Sequence, residues 1–169
     1  MKPRVRTLLK RGIEAFGIVL IVFGVYAFQS RHLLPTDVQR SPALIAPTLS
    51  DLAFDLREHD APVTLVYFFA PWCHICAASS NNIGHLRKLR SDDDLQILMV
   101  ALDWKTRAEV QEYADRHELD GPILLGGPEV ANDWNIYAFP TYYVIDNEQQ
   151  IIHRDLGYST LFGLWWRSM

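Results

Sequence analysis

Residues 63–69 (Val-Thr-Leu-Val-Tyr-Phe-Phe) are almost all β-branched or aromatic and apolar on both faces. A run of that length and pattern predicts a strand buried inside a sheet. Directly after it the period changes. Ile83, Leu86 and Leu89 recur at helical steps within 77–89, which predicts a helix laying one apolar stripe on that sheet. A second unbroken run, 95–102, predicts another central strand ending at Asp103. Lys105 or Thr106 then opens a helix with Val110, Tyr113, Ala114 and His117 on one side, followed by a strand over 119–125. Gly126-Gly127-Pro128 marks a turn and 129–134 a helical turn. Residues 141–145 and 151–155, joined by Asp146-Asn147-Glu148, read as a hairpin, and 159–169 as a closing helix. Upstream, 43–46 reads as a first edge strand. Leu49, Leu52, Ala53 and Leu56, with Ser50 as N-cap, read as a short helix ending before Asp60-Ala61-Pro62. The alternation predicts an α/β fold, a central mixed β-sheet flanked by helices.

One stretch falls outside that pattern. Residues 12–28 are apolar throughout except for Glu14, which sits beside Lys10 and Arg11. As a helix they reach roughly 26 Å, enough to span a hydrocarbon core. The five cations Lys2, Arg4, Arg6, Lys10 and Arg11 precede them, with no acid among the first eleven residues. The net charge of −4 therefore divides into a +5 head and a −9 remainder. Basic residues stay inside, so residues 1–11 are expected in the cytoplasm and the acidic remainder outside. A cleaved signal peptide is the competing reading, because Val25-Tyr26-Ala27 offers small residues where a signal peptidase inspects. Residues 29–42, carrying Pro35 and Pro42, then serve as a tether, leaving 43–169 as the domain. The length suits one domain plus an appendage. High aromatic content with ordinary charge gives no sign of disorder or of nucleic-acid binding.

The only two cysteines lie in Ala70-Pro71-Trp72-Cys73-His74-Ile75-Cys76, where the buried strand turns into a helix. Free backbone N–H groups and the positive end of the macrodipole collect there, and they favour a thiolate. Cys73, at the tip, is the expected nucleophile. Cys76, one turn deeper, is the residue that resolves a mixed disulfide. Other uses fit less well. So small a loop restrains the unfolded chain little, no second pair completes a zinc cage, and Ala77 stands where haem attachment needs histidine. The acidic turn Asp92-Asp93-Asp94 lacks nearby groups to complete a metal site, so no metal is expected. His32, His59, His85, His117 and His153 show no ligand spacing and read as surface.

These residues resemble the active site of thioredoxin-fold oxidoreductases, and Phe139-Pro140-Thr141 with the strand after it resembles that family's cis-proline strand. The long interval between Cys76 and Pro140 is similar to the membrane-tethered TlpA, ResA and DsbE-like branch. Gly157-Tyr158-Ser159-Thr160, Gly163-Leu164-Trp165 and Arg167 look closest to suppressor-of-copper-sensitivity D proteins. The resemblance covers about residues 43–169. It implies a thioredoxin-like fold and a cis bond at Phe139–Pro140, with Phe139, Pro140 and Thr141 binding an extended substrate. It also favours a retained anchor over a cleaved signal.

The expected activity is that of a periplasmic, membrane-tethered thiol–disulfide oxidoreductase acting on protein thiols and disulfides. A membrane thiol reductase would feed it electrons, and it would need no cofactor beyond the redox-active Cys73–Cys76 disulfide. Trp72 is expected to shield the dithiol and line the docking surface. His74, if protonated, makes the disulfide more oxidising. Oxidising members of the fold place histidine before the second cysteine, whereas here it follows the first. Tyr67 stands where thioredoxin has a buried aspartate, and a phenol is a poor base at neutral pH. Asp103 offers a carboxylate at a strand end as one candidate for the proton relay, though a helix N-cap is its readier reading. The alternatives are a disulfide-forming oxidase, a copper-binding module using Cys73, His74 and Cys76, and a cytochrome-maturation reductase.

Overall fold

The structure is a computed structural model that describes residues 3–36, 40–58 and 61–169, with side chains described from Lys10 onward except that of Gln29. His59 and the side chains of Lys2, Arg4 and Arg6 lie outside the described residues. The chain divides into two units, Met1–His32 and Leu33–Met169. The first is helix α1, Pro3–Ser30. Within it Lys10–Phe28 is long and apolar enough to cross a membrane by length and composition, and its apolar side chains are exposed.

The second unit is built on a five-stranded sheet. Its strands are β3 (Val63–Phe69), β4 (Gln96–Ala101), β5 (Ile123–Leu125), β6 (Thr141–Asp146) and β7 (Ile151–Leu156). Their order is β5-β4-β3-β6-β7. β4 lies parallel to both β3 and β5, while β6 is antiparallel to β3 and to β7. The mixed sheet is as expected. Helices α2 (His74–Leu89), α3 (Arg107–Arg116), α4 (Pro128–Asp133) and α5 (Leu161–Arg167) connect and flank it. Thr106 caps α3 through its hydroxyl, which accepts from Glu109 N. At the β6–β7 turn, Asp146 Oδ1 accepts from Glu148 N and Gln150 N.

Successive side chains on a strand point to opposite faces, and β3 divides the core that way. Leu65, Tyr67 and Phe69 join Cys76, Ile83 and Leu86 of α2, Val110 and Tyr113 of α3, and Leu164 of α5. Val66 and Phe68 join Leu98, Val100, Leu124, Trp134 and Tyr143 on the other face. Leu33 and Leu34 belong to this second cluster, so the compact unit begins ahead of the boundary at residue 43 read from sequence.

The short helix expected over 49–56 is not there. β1 (Ile45–Pro47) and β2 (Ala53–Asp55) form an antiparallel ribbon, followed by a single 3₁₀ turn, Leu56–Glu58. The segment's backbone bonds go elsewhere: Leu49 N donates to Ile123 O and Leu56 N to Leu44 O. Thr48, not Ser50, supplies the local cap, its Oγ1 accepting from Leu52 N. The burial period is two, with Phe54 and Leu56 inward and Ala53 outward. Leucines at helical steps concealed that alternation. The strand expected over 119–125 is also shorter, because Leu119 N returns to Ala114 O and closes the end of α3.

Candidate active site

β3 ends at Phe69, and Cys73 N donates back to Ala70 O at 3.0 Å, a turn that delivers the chain to α2. Cys73 is the N-cap of that helix. Its backbone is extended and its Sγ accepts from Cys76 N at 3.1 Å. Cys73 and Cys76 form a disulfide with Cα atoms 5.2 Å apart. The two sulfurs are not equivalent in their surroundings: Cys73 is 7% exposed and Cys76 is 0% exposed. His74 is exposed as the first residue of α2.

Two further segments complete the rim. The Phe68↔Thr141 pairing of β3 and β6 brings Pro140 alongside Phe69, at the foot of the dithiol turn. The Phe139–Pro140 peptide bond is cis, as the resemblance implied. Pro140 O accepts from Gly157 N at 2.8 Å, and the buried Thr141 hydroxyl donates to Ala138 O at 2.8 Å. Trp72 is 55% exposed, with its ring edge-to-face on Phe139 at 5.8 Å between centroids. Its indole N–H donates to Asp103 Oδ2 at 2.9 Å. Asp103 sits just past β4 with φ at 50° and does not cap α3, a role that Thr106 takes. Beyond Phe139 opens a cavity of about 450 Å³ lined by Leu102, Asp103, Trp104, Pro128 and Ile136. Trp104 and the glycine whose carbonyl it binds, Gly126 (2.9 Å), carried no functional signal in sequence.

Under Cys76 the sheet presents a phenol. Tyr67 is fully buried, and its hydroxyl donates to Cys76 O at 3.0 Å. The Ser80 hydroxyl donates to the same carbonyl at 2.9 Å and lies 3.0 Å from the Tyr113 hydroxyl. Tyr67 stacks on Tyr142 (5.1 Å) and Phe69, and Phe69 on Tyr113 (4.9 Å). Burial pushes the Tyr67 phenol well above its ordinary value. It stays neutral as a hydrogen-bond donor and cannot take a proton from Cys76 at neutral pH. Sequence located Tyr67, while Ser80 and Tyr113 were missed because their roles depend on the packing of α3 against α2.

His32, His85 and His153 are exposed, and Asp92, Asp93 and Asp94 form an exposed turn. Among the described residues no group of three or more His, Cys, Asp or Glu side chains is placed to hold a metal ion. Trp165 is half-buried against the core and Trp166 is exposed, the split expected of adjacent helix positions.

The family model described as Redoxin matches residues 39–161. The chain is 27% identical over 155 residues to the thioredoxin-like protein YneN of Bacillus subtilis, covering 85% of this chain and 89% of that one. It is 24% identical over 157 residues to the thiol:disulfide interchange protein DsbE of Allochromatium vinosum, covering 90% and 84%. Among solved structures, a thioredoxin-family thiol:disulfide interchange protein from Chlorobium tepidum superimposes with a TM-score of 0.70 at 18% identity. It covers 80% of this chain and 97% of that one.

Proposed function

The chain belongs to the Redoxin family with a thioredoxin-like fold, and from that premise we propose that it is a membrane-tethered reductase of protein disulfides. Thiol–disulfide exchange itself is the activity of this enzyme class, and Cys73 and Cys76 are the pair that performs it. The observation that carries the order of attack is the asymmetry of the two sulfurs. In the reduced enzyme the Cys76 N–H and the free amides of α2 stabilise a thiolate at Cys73, the outer sulfur. That thiolate attacks a substrate disulfide and forms a Cys73–substrate mixed disulfide, releasing one substrate thiolate. Cys76, deprotonated, then attacks Cys73 Sγ and frees the second substrate sulfur. Two electrons pass to the substrate, and the enzyme is left as the Cys73–Cys76 disulfide.

Phe139, Pro140 and Thr141 form the edge along which an extended substrate lies, with Trp72 covering the dithiol and His74 adjusting its poise. Residues 12–28 anchor the chain, with 1–11 in the cytoplasm, 29–32 as the tether and the Leu33–Met169 unit in the periplasm. A membrane thiol reductase restores the dithiol. Similarity to the tethered branch and the apolar Lys10–Phe28 helix support this direction and placement.

The test is to express a Cys76→Ser chain in cells and trap mixed disulfides. Adducts through Cys73 are expected, and their absence rejects the nucleophile. Equilibration against glutathione or dithiothreitol reads the direction. A potential near about −270 mV marks a reductant, and one approaching about −120 mV an oxidant.

A further inference from the structure

The cavity beside Phe139 has a wall chemistry that disulfide exchange by itself does not require. Phe139 links it to the dithiol: its ring meets Trp72 edge-to-face at 5.8 Å, and Trp72 directly precedes Cys73. Leu102, Trp104, Ile136 and Phe139 give the cavity of about 450 Å³ apolar and aromatic sides. The backbone is shaped to bring these sides together. A Cβ at Gly126 would meet Leu102 Cδ2 at 2.7 Å, so glycine there lets the chain after β5 lie against Leu102. Gly126 O accepts from the Trp104 indole N–H at 2.9 Å, which holds that ring in the wall.

Among the described residues that line the cavity, Trp104 alone has a side-chain donor and Asp103 alone a charge. The donor is engaged by Gly126 O. Backbone donors are engaged too: Leu102 N by Phe69 O, Gly126 N by Ala101 O and Ile136 N by Ala131 O. The remaining polar character is negative. Asp103 is exposed and accepts from Trp72 through Oδ2, which leaves Oδ1 as an acceptor. Glu129, in the first turn of α4, lays its carboxylate against Gly127 of the same wall. Lys105, the residue after Trp104, is exposed and is not part of the lining.

We propose that this cavity is a subsite for a basic side chain, arginine above lysine, that the substrate carries beside its reactive cysteine. This rests on the reading of Cys73 as the attacking sulfur. An arginine lays its aliphatic stem along apolar surface while its charged head stays polar. Its guanidinium stacks on an aromatic ring and bonds a carboxylate, and the wall supplies both. An acidic side chain would meet like charge there, and an uncharged apolar one would desolvate Asp103 without replacing its water. The substrate class is thus a protein whose target cysteine has a basic neighbour.

The experiment uses the full-length Cys76→Ser chain in a non-ionic detergent. Its probes are peptides with one cysteine joined to thionitrobenzoate as a mixed disulfide. Both flanking residues are arginine, glutamine, norleucine or glutamate. Attack of the Cys73 thiolate on the peptide sulfur forms the Cys73–peptide disulfide and expels thionitrobenzoate, the better leaving group, whose absorbance gives the rate. Each rate is divided by that of the same peptide with mercaptoethanol, which cancels the intrinsic reactivity of its disulfide. The arginine peptide should react about fivefold faster than the glutamine peptide, with glutamate slowest. Asp103→Asn keeps an acceptor for Trp72 and should erase most of that preference, and Trp104→Leu should reduce it. No release from any peptide overturns Cys73 as the nucleophile and the subsite with it. Release that does not distinguish arginine from glutamine, or that puts norleucine first, overturns the subsite alone. An arginine preference kept in full by both variants belongs to the overall negative charge of the domain, and it overturns the subsite as well.

Discussion

The two faces of the central sheet are packed by different rules. On the α2 face, buried hydroxyls lie among the apolar groups: Tyr67 and Ser80 both bind Cys76 O, and Tyr113 binds Ser80. On the opposite face Phe68, Leu98, Val100 and Trp134 make an apolar core. Its phenol, Tyr143, is consumed structurally, donating to Trp134 O at 3.0 Å and accepting from Leu34 N at 3.1 Å. One face therefore holds a reactive pair in place, while the other closes the unit and captures the incoming chain. Substitutions on the two faces should then separate chemistry from stability.

The largest separation is expected between Cys73→Ser and Trp134→Ala. Cys73→Ser removes the proposed nucleophile, so reduction of an insulin-type disulfide should fall to background. Its urea midpoint should move little, because a loop closed across three residues restrains the unfolded chain weakly. Trp134→Ala leaves a large cavity between Phe68 and Tyr143 and should lower stability by about 3–5 kcal/mol. Its folded fraction should still turn over. Activity lost in proportion to neither variant's folded fraction would break the division between the faces.

High pH tests both faces at once. Burial holds the Tyr67 phenol well above its ordinary value and pushes that of Tyr143 up to about 12. Unfolded phenols titrate near about 10. A folded value above the unfolded one means the stabilisation is complete below pH about 10 and is lost as pH rises from there through the folded values. The urea midpoint should be flat from pH about 7 to 9 and fall above 10. A midpoint unchanged at pH about 11.5 would contradict the burial of both phenols.

Much of this division could be read in the chain. The run 63–69 is long, β-branched and unbroken, so both the strand and the dithiol at its end were evident, and the cis-proline strand followed from resemblance. What failed depended on distant partners. Leu49, Leu52 and Leu56 imitate helical spacing, but the ribbon forms because Leu56 N finds Leu44 O and Leu49 N finds Ile123 O. Leu33 and Leu34 look like tether until Arg154, some 120 residues on, binds their carbonyls. Asp103 is bound by Trp72 across 31 positions, a pairing no local pattern records.

A finer cut goes through the hydroxyls under Cys76. Tyr67→Phe deletes one of two hydroxyl donors to the Cys76 carbonyl and leaves the ring stacking in place. The carbonyl keeps its bond from Ser80, so the loss should be about 1 kcal/mol. Tyr143→Phe, on the other face, strips partners from both Trp134 O and Leu34 N and should cost more, about 1–3 kcal/mol. Equal losses would mean that the two phenols are used alike, and the contrast between faces would fail at this level.

The smallest effect on stability is expected at the rim. Trp72→Phe removes the indole N–H that Asp103 accepts but keeps an aromatic ring against Phe139. Trp72 is over half exposed, so the urea midpoint should shift by no more than about 0.5 kcal/mol equivalent. Turnover should respond differently with different substrates. Without its bond to Asp103 the ring is free to swing over the groove beside Phe139, so kcat/KM for a protein disulfide should drop several-fold. Reaction with dithiothreitol, too small to contact that groove, should stay near wild type. A uniform drop for both reagents would place Trp72 in the electrostatics of the Cys73 sulfur rather than at the docking surface, and the rim would then belong to the chemistry of the buried face.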